Sequence, residues 1–339
     1  MLKRLLQILP RSMRIRYLGS ILQKLSPIIA PIVVRDDNNG ARRSFRSAFP
    51  AADEGEIRRL LDRYKLFGFR LWLIQEHLAS LSTASLRSYV RDQCAVRGSE
   101  HLQEAIKSKR PLIFFTPHYG NFILAGIKLA LELENQRRLL FFYNPPGRNA
   151  IASEMDTLIR TLDTGAIPEH NNRAGLKRVM SDLKDDGALF LMPDIFEVNP
   201  GVRYVSFFGR FALMMTGTVH FALRSDAIVL PMCVDMSDNG RFALDVLPPM
   251  NLTQSGDRNR DLYENVSRLA NITEEIIRRD VSHWTMWPSF VARTIATPSI
   301  PTERESWRSL PQSIRGNLSG LIPDLARVLD FPEREWNDA

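Results

Sequence analysis

The sequence contains few cysteines and no long apolar run, and these absences exclude several classes of protein. Cys94 and Cys233 are the two cysteines among 339 residues. They lack the close spacing of a metal or redox motif, so no disulfide-stabilised fold is expected. No segment of about 18 apolar residues occurs, and the sequence therefore predicts no transmembrane helix. Basic residues interrupt positions 1–20, where a signal peptide needs an apolar stretch, so we expect no signal peptide.

The positive charge of the chain is concentrated near its N-terminus. Residues 1–50 contain ten Lys or Arg and two Asp, a net charge of +8, whereas the whole chain carries +7. The remaining 289 residues therefore carry a net charge of −1. Because no pattern of aromatic and basic residues follows, we do not expect nucleic acid as a partner. The charge favours an anionic membrane surface or an acidic carrier protein.

The pattern of residues predicts three segments. Residues 1–40 form an N-terminal arm of basic amphipathic helices, which lie at a membrane interface or pack on the protein body. Residues 41–295 form an α/β domain with a mixed, mostly parallel sheet flanked by helices. Residues 296–339 form a proline-containing linker and a short C-terminal helix. A hydrophobic content of 44% and a charged content of 24% are ordinary for such a domain.

Two predicted strands end in proline close to a titratable side chain. The buried strand 111–115 is followed by Pro117 and His118, and the strand 188–192 is followed by Pro193 and Asp194. Parallel strands end at the same edge of a sheet, where α/β proteins place their chemistry. His118 and Asp194 are therefore expected to meet at this edge. The alternative is that His118 merely caps its turn through a hydrogen bond.

Seven segments, taken in order, resemble a known family. They are SFRSAFP (44–50), VRGSEHL (96–102), TPHYGNF (116–122), Asn149 with Arg160 and Gly165, LFLMPD (189–194), YVSFFGR (204–210) with Thr216 and Gly217, and the pair Trp284 and Trp287. Together they resemble the lysophospholipid acyltransferase superfamily, in its lipid A lauroyl/myristoyl acyltransferase branch, over about residues 41–292. The resemblance implies an α/β acyltransferase fold and an inner-membrane acceptor. It also implies an acyl thioester donor carried by acyl carrier protein or coenzyme A, without a further cofactor.

The central motif of that family departs from the expected pattern at one position. The family motif is a histidine followed, after four residues, by Glu or Asp. Its imidazole acts as a general base that the carboxylate orients. His118 matches the histidine, but Ile123 stands at the carboxylate position. An isoleucine can neither accept the imidazole N–H nor offset its positive charge.

Three interpretations of Ile123 remain open at this point. Another carboxylate serves His118, with Asp194 the first candidate and Glu197 the second. Alternatively, the acceptor is an amine, which attacks a thioester before losing its proton and needs less help from a base. The third interpretation is that acyl transfer has been lost, leaving a protein that binds an acyl or carrier-bound intermediate.

The resemblance also implies substrate-binding residues, namely Asn121, Arg160, Arg210, Thr216 and Gly217. An arginine fork suits an anionic group of the donor or acceptor, and a helix start at Thr216 and Gly217 offers N–H groups to an anion. No set of residues suggests a metal site. Glu169, His170 and Arg173 lie close together in the sequence, and we expect them in a solvated loop.

The sequence therefore predicts an acyltransferase that moves an acyl group from a thioester to a hydroxyl or amine. His118 is the expected base and Asp194 its expected partner. We expect a cytoplasmic protein that attaches peripherally to the inner membrane. The alternative function is a catalytically degenerate family member.

Overall fold

The computed structural model describes residues 39–149, 151–196, 201–236 and 241–296. Residues 1–38 of the predicted N-terminal arm, residues 297–339 of the predicted linker and C-terminal helix, and Glu197 lie outside these ranges. Within them, no helix combines the length and apolarity that crossing a membrane requires.

A seven-stranded sheet forms the centre of the described residues. In spatial order its strands are β1 (Cys94–Arg97), β9 (Phe242–Val246), β8 (Ile228–Met236), β2 (Leu112–Phe115), β5 (Ala188–Leu191), β3 (Leu139–Tyr143) and β4 (Ile167–His170). Neighbouring strands pair in parallel, except for the antiparallel pair β8 and β9. The predicted mixed, mostly parallel sheet is confirmed.

A smaller antiparallel sheet packs beside the first. It contains β6 (Val202–Phe207), β7 (Arg210–Met215) and β10 (Thr294–Ala296), in the order β10, β7, β6. Phe208 and Gly209 form the two-residue turn between β6 and β7, and both have positive φ angles, 49° and 65°. Two left-handed residues are what a tight hairpin of this type requires.

The described residues include ten α-helices, several of which pack against the main sheet. They are α1 (Asn39–Ala48), α2 (Glu54–Ser80), α3 (Thr83–Gln93), α4 (Ser99–Lys107), α5 (Phe122–Leu133), α6 (Ala152–Thr161), α7 (Arg173–Lys184), α8 (Gly217–Ser225), α9 (Arg258–Arg279) and α10 (Trp287–Phe290). The start of α2 follows from its sequence, because Asp53 and Glu56 form a capping box there.

The two faces of the main sheet are buried in two separate apolar clusters. Side chains alternate along β2, so Ile113 and Phe115 enter the first cluster while Leu112 and Phe114 enter the second. The first cluster contains a group of packed rings, here called the aromatic cluster: Phe45, Phe49, Phe196, Phe207, Phe208, Trp284, Trp287 and Phe290. Burial on both faces explains why these strands read as continuous apolar runs.

Candidate active site

His118 and Asp194 meet at the carboxyl ends of the adjacent strands β2 and β5. The imidazole Nδ1 of His118 lies 2.7 Å from Oδ1 of Asp194, and the His118 backbone N–H donates to Oδ2 at 2.8 Å. The His118 side chain is 17% exposed and Asp194 is fully buried. The structure therefore brings together the two residues that the ends of their strands singled out.

The carboxylate of Asp194 is held by three donors. Besides the two contacts from His118, the indole Nε1–H of Trp284 donates to Oδ2 at 2.8 Å. Burial by itself would raise the pKa of Asp194, but the adjacent imidazole and the three hydrogen bonds outweigh it and hold the pKa below its usual value. Asp194 is thus a buried anion that is fully supplied with hydrogen bonds.

This arrangement determines what the His118 ring can do. An ionised carboxylate only accepts hydrogen bonds, so we assign the imidazole proton to Nδ1. Nε2 then carries the lone pair that can take a proton from a substrate. The negative charge of Asp194 stabilises the imidazolium that forms, as the carboxylate of a hydrolase triad does.

A short antiparallel bridge fixes the segment that carries His118. Tyr119 pairs with Trp284 across this bridge. The Gly120 N–H donates to the His283 carbonyl at 3.0 Å, and the Thr285 N–H donates to the His118 carbonyl at 3.0 Å. Gly120 has a φ of 58°, and a Cβ there would lie 2.0 Å from the Val234 carbonyl oxygen. Glycine is therefore required at this position for both conformation and space.

Ile123 provides no carboxylate to His118. It lies in the first turn of α5 and packs against the second apolar cluster. The neighbouring Phe122 ring packs edge-to-face with the imidazole, with centroids 5.0 Å apart. The carboxylate that the family motif places in this turn is thus absent here, and the equivalent contact to His118 comes from Asp194 on a different element.

Asn121 lies directly beside the site, where it caps α5. Its side-chain Oδ1 accepts the Leu124 N–H at 3.0 Å, and the residue is 2% exposed. Within the described part of the chain, its buried Nδ2 has no hydrogen-bond partner. Capping accounts for the choice of asparagine, and its substrate-binding role stays a prediction.

Thr216 and Gly217 form the start of α8 close to Asp194. The Met215 N–H donates to the Pro193 carbonyl at 3.2 Å, which ties the end of β7 to the residue before Asp194. Thr216 itself donates its hydroxyl to the Gly201 carbonyl at 3.0 Å. The first N–H groups of α8 are therefore near the sheet edge that carries His118, and anion binding there stays a prediction.

The two predicted arginines differ in their surroundings. Arg160 is exposed in the last turn of α6. Arg210 is partly buried, and its guanidinium donates to the Thr294 hydroxyl and carbonyl at 2.6 and 2.9 Å and to the Ser47 hydroxyl at 2.7 Å. The guanidinium of Arg210 is therefore hydrogen-bonded to oxygens within the protein, and it links the small sheet to α1. Substrate binding by either arginine stays a prediction.

The expected solvated loop around His170 is wrong. His170 is the last residue of strand β4, and its Nε2 lies 3.1 Å from Oδ1 of Asp156, which also accepts the Tyr143 hydroxyl. Glu169 is 4% exposed and is paired with Arg178. The polar run was misassigned because the partners Asp156 and Arg178 lie on α6 and α7, which the sequence does not place beside the strand.

One group of possible metal ligands occurs among the described residues, although the sequence suggested none. Cys233, Asp235 and Asp245 lie close together on β8 and β9. Arg279 lies 2.6 Å from Asp245 and 3.5 Å from Asp235, and Arg97 pairs with both carboxylates. Two guanidinium groups already balance the two carboxylates, so this group is an ion-pair network that joins β1, β8 and β9 to α9.

Trp284 is the residue at the site whose function the sequence did not reveal. The sequence marked it only as part of a matching tryptophan pair, because its contact with Asp194 spans 90 residues. A tryptophan that is fully buried needs a partner for its indole N–H. The need of a buried indole N–H for an acceptor, together with the many aromatic residues in the chain, was the sequence signal that could have indicated a polar partner for Trp284.

Comparison with known protein families gives one match that covers most of the chain. The family model described as bacterial lipid A biosynthesis acyltransferase matches residues 2–288. No curated protein matches the chain.

Proposed function

The chain belongs to the family of bacterial lipid A biosynthesis acyltransferases, and from this we propose that it transfers an acyl group from a thioester to a hydroxyl or amine. The donor in this proposal is acyl carrier protein or coenzyme A carrying the acyl chain. The observation that carries the proposal is the contact of 2.7 Å between Nδ1 of His118 and Asp194. It supplies the oriented base that the altered family motif would otherwise lack.

The proposed reaction uses His118 first as a base and then as an acid. Nε2 takes the proton of the acceptor hydroxyl while its oxygen attacks the thioester carbonyl carbon. The C–S bond breaks as the tetrahedral intermediate collapses, and the imidazolium returns the proton to the departing thiolate. Asp194 stays ionised throughout and offsets the charge on the imidazolium.

The site geometry bears on the choice among the three interpretations of Ile123. The contact with Asp194 supports the first, in which another carboxylate serves the imidazole. An amine acceptor remains compatible with the same site, because its proton is lost after attack and the base then has an easier task. Both acceptor classes are therefore compatible with the site.

The missing motif carboxylate favours one alternative function. In that alternative the protein binds an acyl or carrier-bound intermediate and does not transfer it. Tight binding of acyl carrier thioester without turnover on any hydroxyl or amine acceptor would support this alternative over the acyltransferase.

The proposed function is tested by acyl transfer with radiolabelled acyl carrier protein and coenzyme A thioesters, offered with lipid and soluble acceptors. We expect transfer by the unaltered protein and a loss of about three orders of magnitude in His118→Ala, since it removes the base and the imidazolium. His220→Ala, which changes an exposed histidine on α8, is the matched control. Equal activity of the His118 variant would remove His118 from the mechanism.

A further inference from the structure

The second oxygen of the Asp194 carboxylate has a side-chain donor of its own. Oδ1 faces Nδ1 of His118, and Oδ2 accepts two N–H groups, from the His118 backbone and from the Trp284 indole. Trp284 and Asp194 are both fully buried. A buried carboxylate depends on such donors, because no water replaces one that is lost.

Ring packing and backbone pairing fix the orientation of the Trp284 indole, so that its N–H is directed at Asp194. Its ring packs edge-to-face on Trp287 with centroids 4.8 Å apart, and it stacks on Phe208 at 6.2 Å. Its backbone pairs with Tyr119 in the bridge that also fixes His118. The donor to Asp194 and the imidazole that Asp194 contacts are therefore placed by the same short bridge.

We propose that Trp284 is a positioning residue for acyl transfer, which holds the Asp194 carboxylate so that Oδ1 faces Nδ1 of His118. A carboxylate turns readily about its terminal torsion unless both oxygens are held. Because Oδ2 is held by two N–H groups, Oδ1 remains directed at the imidazole. His118 then keeps its proton on Nδ1 and presents Nε2 to the acceptor. The expected effect on kcat rests on the proposed function, whereas the orientation of the carboxylate and the tautomer of His118 do not.

The kinetic test compares Trp284→Phe with Trp287→Phe. Trp287 is equally buried in the aromatic cluster, but its indole N–H donates to the Val281 carbonyl instead. We expect both variants to lose stability because each truncates a buried ring, and Trp284→Phe to lose more because its lost hydrogen bond is to a charged group. The Trp284 variant alone should lose about tenfold in kcat, the size of effect expected for one hydrogen bond to a charged group, with the KM for the thioester unchanged. Equal kcat in the two variants would overturn the proposal.

A coupling measurement separates positioning from general packing. We expect Trp284→Phe to reduce kcat in the unaltered chain and to cause no further loss in an Asp194→Ala background, because the indole would act through that carboxylate. A purely structural role would reduce kcat by the same factor in both backgrounds, and that result would contradict the proposal.

A spectroscopic test does not depend on acyl transfer at all. Nitrogen-15 NMR of labelled imidazoles should show His118 of the unaltered protein as a single Nδ1–H tautomer. Replacing Trp284 by benzothienylalanine, which has the same bicyclic shape with sulfur in place of N–H, should produce a mixture of tautomers. This isostere also serves if Trp284→Phe fails to fold. An unchanged His118 spectrum would reject the role of Trp284, whereas absence of acyl transfer by the unaltered chain would reject only the proposed function.

Discussion

Ile123 stands where the family motif places the carboxylate that orients the imidazole, yet His118 is not without one. Its Nδ1 is already bonded to Asp194 at 2.7 Å, and Ile123 packs against the second apolar cluster. A new carboxylate at this position would lie among apolar neighbours, and Nδ1 of the imidazole would already be hydrogen-bonded to Asp194.

We therefore expect Ile123→Glu to give no more than a few-fold change in the rate of hydroxyl acylation. It should also destabilise the fold by about 1–3 kcal/mol, because it removes apolar packing and places charge beside an apolar cluster. Steady-state rates and urea unfolding measure the two effects. Ile123→Gln is the matched control without charge, and a large rate gain confined to the Glu variant would show that Asp194 is not an adequate partner.

Asp194 should contribute to stability in a manner that depends on pH. Its pKa is lower in the folded protein than the ordinary value of about 3.9. Its stabilising contribution is therefore complete above about pH 5, begins to fall as the pH approaches the unfolded value and is lost as the pH falls through the folded value.

This predicts that the difference in unfolding free energy between the unaltered protein and Asp194→Asn narrows below about pH 4, where a protonated Asp resembles Asn. At pH 7 the same variant should lose on the order of 10³ to 10⁴ in kcat. Asp163→Asn, an exposed change, is the control for both measurements. A difference in stability that stays constant down to pH 3 would contradict the assignment of a buried anion.

At the scale of elements, the sequence predicted the strands better than it predicted the contacts of the loops that follow them. The apolar runs of β2, β3, β5 and β8 predicted these strands. The prolines that follow β2 and β5 marked the strand ends, and from these ends the sequence predicted that His118 and Asp194 meet. The sequence did not reveal that residues 283–285 return to pair with residues 118–120. Trp284, which forms the bridge, also packs in the aromatic cluster, and neither segment carries a periodic pattern.

The bridge gives a prediction about Gly120. Gly120→Ala must place its Cβ 2.0 Å from the Val234 carbonyl oxygen at a φ of 58°. We expect a loss of at least about 2 kcal/mol in stability and reduced acyl transfer, because the neighbouring His118 must shift. Urea unfolding followed by circular dichroism measures the loss.

Gly68→Ala is the matched control for that substitution. Gly68 lies in α2, and its Cβ would have nothing within 4 Å. Alanine there should raise stability by about 0.5–1 kcal/mol. Similar effects of the two substitutions would show that the bridge tolerates movement and does not fix the imidazole.

At the scale of the whole molecule, charge is divided unevenly between the N-terminal 50 residues and the remainder. We propose that these basic residues attach the protein to an anionic membrane surface, close to an acceptor in that membrane. Each basic residue near such a surface contributes about 1 kcal/mol, and salt screens the attraction.

Replacing Arg11, Arg14 and Arg16 together by Gln should therefore weaken binding to phosphatidylglycerol vesicles by on the order of a hundredfold. Co-sedimentation measures the binding. The control replaces the exposed Arg58, Arg59 and Arg173, which lie outside the basic N-terminal segment. Equal binding of the two triple variants would reject this segment as the membrane contact.

The burial of Asp194 has a consequence for how the protein could evolve. One carboxylate joins residues 118, 194 and 284, so it supports the folded interior and, in the proposed reaction, also orients His118. Selection for abundance alone would then keep aspartate at position 194, even in a lineage that had abandoned catalysis. A mutational scan scored by protein level should be nearly as intolerant there as one scored by turnover, so retention of this aspartate in a relative is poor evidence that the relative is active.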